Sequence, residues 1–204
     1  MTAIELSEKQ VFVLKVILGT ILALNAGDYL ALRTDMGFDR TFRLDLVYWF
    51  FPLFCFVVMQ WILSSEYLHR GWVVAGIIGC ATVTPVVAIG YYYVFSDSIY
   101  RSYYLIFYFL MGVFATAPQG ILLRNKDGLL WVLANGVGWV LVTLYFNTRI
   151  HLLQPIPSLP ILQTFIYHTY YLPLGILVGL SLYNIKVKSS RSESNEMTEN
   201  KQQE

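Results

Sequence analysis

Apolar residues fall in six long blocks along the chain, at roughly 11–32, 44–64, 72–95, 103–123, 129–146 and 159–185, parted by short polar breaks. A helix that crosses a bilayer needs about 20 apolar residues. The pattern therefore predicts an all-α fold, a six-helix transmembrane bundle. Lipid offers the backbone no hydrogen-bond partners, so each crossing is expected to be a continuous helix. The alternating ten-residue segments of an outer-membrane barrel are missing. Residues 1–185 read as one integral membrane domain with no room for a soluble one, and 186–204 as a cytoplasmic tail. That tail is Ser, Glu, Asn, Gln and Lys around a lone Met197, and it has too little apolar surface to fold. The first block reads as a retained helix. Its leader sets Glu5 and Glu8 against Lys9, and no A-x-A cleavage site follows it.

Composition agrees with this reading. The chain is 56% hydrophobic and 13% charged, about half the charge of an ordinary soluble domain. Fourteen basic residues against thirteen acidic ones leave no excess to attract nucleic acid. Six crossings put both termini on one side. Lys9, Arg70, Arg124, Lys126, Lys186, Lys188 and Arg191 map to that side, against Arg33, Arg40, Arg43, Arg101 and Arg149 opposite. The positive-inside rule then places both termini in the cytoplasm. Cys55 and Cys80 fall inside apolar blocks and read as small hydrophobes.

Shifting the chain by 59 residues reveals self-similarity without a gap: Gln60 falls on Gln119, Trp72 on Trp131, Ala75 on Ala134, Gly79 on Gly138 and Thr84 on Thr143. The unit is a helical hairpin, spans two and three and then spans four and five. Two copies of like orientation are expected about an axis along the membrane normal. Trp72 and Trp131 open their helices where interfacial anchors belong. The run from Met111 through Gln119 to Arg124, followed by Trp131, Asn135, Gly138 and Trp139, resembles a hairpin pattern of uncharacterised polytopic bacterial membrane proteins of the cyanobacterial type. Gly76 and Cys80 depart from that pattern, where Asn and Trp stand in the second copy. The resemblance implies a bacterial plasma (inner) membrane location, or a thylakoid membrane in a cyanobacterium, and no activity.

Polar groups inside lipid are expensive and therefore candidates for function. Gln119 and Asn135 lie at one depth on neighbouring helices and are expected to clamp them by a side-chain hydrogen bond, leaving Gln60 for another helix, water or a ligand. Asp28 sits near the outer end of the first span, with Arg33 and Arg43 within reach. Ala23, Gly27 and Ala31 form a small-residue ridge suited to a partner helix, within this chain or in a partner membrane protein. Pro52, Pro85, Pro118 and Pro173 fall in four different spans. Under this topology every tyrosine except Tyr67 and Tyr183 maps to the outer half. Those hydroxyls outnumber nearby acceptors, so an outward pocket is expected, built from Asp28, Tyr92, Tyr104, Tyr167, His168 and Tyr171. An amphipathic small molecule, such as a lipid or quinone, would suit it.

No cluster of His, Cys, Asp or Glu has metal-ligand spacing, and no nucleophile motif is present, so neither cofactor nor catalytic residue is expected. Three roles follow, in order: a non-enzymatic assembly or scaffold component, a small-solute or lipid binding or transport subunit, and an intramembrane lipid enzyme.

Overall fold

The computed structural model describes residues 7–35, 42–94, 104–123, 125–152 and 169–202. Among the described residues the fold is all-α. It consists of α1 (Glu8–Asp35), α2 (Phe42–Ser64), α3 (Trp72–Val94), α4 (Tyr104–Leu123), α5 (Asn125–Leu152) and α6 (Leu172–Gln202). Three of them, over Glu8–Ala31, Leu105–Leu123 and Lys126–Tyr145, are long and apolar enough to cross a membrane, and the apolar stretches Phe50–Ser64 and Trp72–Val87 are shorter.

Local chemistry sets several boundaries. Ser7 and Gln10 form a reciprocal capping box at the start of α1. The Gln10 N–H donates to Ser7 Oγ at 3.3 Å, and the Ser7 N–H donates to Gln10 Oε1 at 2.8 Å. Pro52, Pro85 and Pro118 lie inside their helices as expected. Pro173 does not: α6 starts at Leu172, which puts the proline in the first turn, where its missing N–H costs nothing. The sixth helix thus begins well inside the apolar block expected at 159–185. It also runs past the end of that block to Gln202, so the tail expected to be unfolded is helical. Two ion pairs anchor it where the apolar face ends, Lys186 to Glu8 of α1 at 2.8 Å and Lys188 to Asp127 of α5.

Each helix packs on its neighbours in sequence, and α6 closes against α1, so the six helices form a ring. Glycine permits the closest approaches. A Cβ on Gly79 would collide with the backbone carbonyl of Ala115, and one on Gly27 with the backbone at Pro52. Gly27, the middle of the ridge formed with Ala23 and Ala31, is therefore packed on α2 within this chain. The burial register recurs at the 59-residue spacing and reaches a third time into α6. Leu53, Gly112 and Tyr171 are buried, and so are Phe56, Ala115 and Leu174, and Gln60, Gln119 and Val178. The perimeter is apolar: Leu22, Ile62, Val74, Phe114, Ile121 and Leu130 are each more than half exposed.

Candidate functional sites

Two polar clusters lie within this apolar ring. The first is at its centre, toward the end that carries the chain termini. Gln60 on α2 and Gln119 on α4 are fully buried, and the Gln119 amide donates to Gln60 Oε1 at 3.2 Å. The same oxygen accepts the indole N–H of Trp72 at 3.2 Å. Trp72 and Trp131 meet edge to face with ring centroids 5.1 Å apart. Residues equivalent under the 59-residue shift thus touch one another across the ring.

Two expectations are corrected here. Gln119 does not clamp Asn135; the Asn135 amide donates to the carbonyl of Trp131 in its own helix at 2.9 Å. Depth was the same for both residues, but depth says nothing of rotation about the helix axis, and Gln119 points toward α3. Gly76 makes room for it there, since a Cβ at that position would lie 2.9 Å from Gln119 Nε2. Nor do Trp72 and Trp131 anchor an interface. Both have no exposed surface, because ring closure buries the ends of α3 and α5 that a lone hairpin would expose.

Four polar atoms of this cluster have no partner among the described residues: Gln60 Nε2, Gln119 Oε1, Trp131 Nε1 and Asn135 Oδ1. The asymmetry is specific. Trp72 delivers its N–H to Gln60, whereas Trp131, at the equivalent position, delivers its own to none of them. Further along the same helices, threonines satisfy themselves locally, Thr84 on the Cys80 carbonyl at 2.6 Å and Thr143 on that of Trp139 at 3.0 Å.

The second cluster lies at the opposite end, where α1 meets the start of α6. Asp28 Oδ2 accepts the hydroxyls of Tyr170 at 2.5 Å and Tyr171 at 3.0 Å. The two phenol rings overlap at 3.9 Å between centroids, and Trp139 lies edge-on to Tyr171 at 6.1 Å. Charge-assisted bonds of this kind are roughly twice as strong as neutral ones. Of the residues expected to line a pocket at this end, the structure joins Asp28 and Tyr171. Tyr170 completes the set; it belongs to the tyrosines mapped to the outer half but not to the residues expected to line the pocket. The side chains of Tyr92, Tyr104, Arg33 and Arg43 lie outside the described set, as do residues Tyr167 and His168 altogether. Both cysteines are free, Cys80 buried and Cys55 half-buried, and no group of three metal-ligating side chains occurs among the described residues.

A cavity of about 300 Å³ opens between α5 and α6 at the end that carries the termini. Leu130, Leu133, Val137 and Leu177 wall it, Trp131 forms part of its lining, and Asp127, Ser181 and Asn184 supply its polar groups. Sequence reading placed a pocket at the other end and missed this one. Its one sequence signal is small or polar residues (Ala134, Ser181, Asn184) facing each other across two apolar helices.

No family model, curated protein or solved structure matches the chain.

Proposed function

We propose that this protein is a six-span integral membrane protein, with both termini cytoplasmic, that binds an amphipathic small molecule at the end marked by Asp28. The apolar perimeter supports the membrane reading, since exposed Leu, Ile and Phe around a whole bundle are a liability in water and a requirement in lipid. The observation that carries the functional reading is the Asp28 carboxylate held by two phenols. An ionisable group inside a span is costly and marks a site by default. Phenol, indole and carboxylate together offer a polar contact beside an apolar aromatic wall, which suits a guest with a polar head and an apolar body. The scaffold reading had the Ala23–Gly27–Ala31 ridge as its interface. With Gly27, the centre of that ridge, packed on α2, binding becomes the better supported role.

Native mass spectrometry of protein purified in mild detergent tests this. The wild type should carry a small molecule that Asp28→Asn and Tyr171→Phe each deplete at least fivefold while the fold is retained. A preparation with no such molecule and a stoichiometric protein partner would return the scaffold reading to first place. Reporter fusions after Lys126 and after Arg149 test the topology, and periplasm-only activity at Lys126 would reverse it.

A further inference from the structure

We infer that the cavity between α5 and α6 is a binding site for an anionic phospholipid of the cytoplasmic leaflet. The inference rests on the membrane reading above and is independent of the Asp28 end. The cavity has the layout of such a lipid. Its apolar wall, Leu130, Leu133, Val137 and Leu177, runs toward the middle of the bundle, and Leu130, Leu133 and Val137 are 59%, 40% and 43% exposed, so the site opens sideways. Its polar end, Asp127, Ser181 and Asn184, lies at the level where α5 begins. An acyl chain fits the first part and a glycerol–phosphate the second.

Charge selects the headgroup. Asp127 is neutralised by Lys188, which leaves the exposed Lys126, one turn before Leu130 on the same face of α5, as net positive charge near the wall of the cavity. Lys186 is held away by Glu8 of α1. Basic pockets between helices on the cytoplasmic side recognise anionic headgroups in this way. A second observation is independent of charge. Trp131 lines the cavity, has no exposed surface, and its indole N–H has no partner among the described residues. Its counterpart Trp72 is satisfied by Gln60, and the cavity lies beside the tryptophan that is not. An ester carbonyl of the lipid is an acceptor of the right kind for that donor.

The probes are phosphatidylglycerol and phosphatidylcholine, added in equal amounts to full-length protein in mild detergent and read by native mass spectrometry. Phosphatidylglycerol should be retained at least tenfold more than phosphatidylcholine. Lys126→Ala/Lys188→Ala should erase that preference, and Ala134→Leu, which fills the cavity, should abolish retention of both. The lysines lie outside the packed ring, so that variant stays folded even if the cavity-filling one does not. Equal retention of the two lipids, or a preference that survives loss of both lysines, would overturn the site. Release of the protein from membranes by alkaline carbonate would overturn the membrane reading instead.

Discussion

In the α2–α3 hairpin the Trp72 indole donates to Gln60, and Gly76 leaves a space that the Gln119 amide enters. In the α4–α5 hairpin the matching Trp131 donates to no described residue, and Asn135, which stands where Gly76 does, turns back on its own helix. The two hairpins share burial register and residue types at the ring centre, yet the first leaves only Gln60 Nε2 open there, whereas the second leaves Gln119 Oε1, Trp131 Nε1 and Asn135 Oδ1 open, with a cavity beside Trp131. Register follows from which positions are apolar or small. Hydrogen-bond satisfaction follows from single substitutions within that register, here Asn for Gly. A protein built this way can keep a uniform shell and still concentrate its open polar groups and a cavity in one part of it.

The largest test of this comparison is at the glycines. Gly79 meets the backbone of Ala115, which cannot move aside. Gly138 instead meets the Leu174 side chain, whose Cδ1 lies 2.5 Å and whose Cα lies 3.3 Å from where a Cβ would stand. Gly79→Ala should cost at least about 3 kcal/mol and reduce folded yield sharply, while Gly138→Ala should cost about 1 kcal/mol. Equal losses would mean that the two crossings are alike. Next in size come the tryptophans. Trp72→Phe removes a donor from a buried amide oxygen and should cost about 1–3 kcal/mol. Trp131→Phe breaks no hydrogen bond among the described residues and should cost less, a ranking that thermal unfolding in detergent reads directly.

The smallest effect belongs to the exposed Lys186–Glu8 pair that ties α6 to α1. The hydrogen bond to Glu8 raises the Lys186 pKa above its usual 10.5. A raised folded-state pKa stabilises below the unfolded value and ceases to do so as pH climbs through the folded one. Glu8→Gln should therefore lower Tm slightly at pH 8, and the difference from wild type should vanish in strong alkali. Burial holds the Tyr67 phenol up to about 12, so it stays largely neutral over most of that range.

Apolar block length was enough to place α1 to α5 within a few residues at most boundaries, because span length is a one-dimensional property. The start of α6 was not legible: the block at 159–185 is apolar before Leu172 as well as after it, and Pro173 read as an interruption, not a start. The third appearance of the register in α6 was hidden because Val178 replaces the glutamine, so burial recurs where identity does not. Counting acceptors for the tyrosine hydroxyls led to Asp28 beside Tyr171, since a buried phenol seeks an acceptor wherever it points. The Gln119 partner and the burial of both tryptophans depended on helix rotation and ring closure, which no local pattern encodes.

The central claim is that the two hairpins meet through equivalent residues, Gln60 against Gln119. A double-mutant cycle measures it most directly, with Gln60→Leu, Gln119→Leu and the double variant unfolded in detergent, beside the same cycle for Gln119 and Asn135. We expect a coupling near 0.6 kcal/mol, and no more than about 2, for the first pair, and additivity within error for the second. Additive losses at Gln60 and Gln119, with coupling between Gln119 and Asn135, would contradict it.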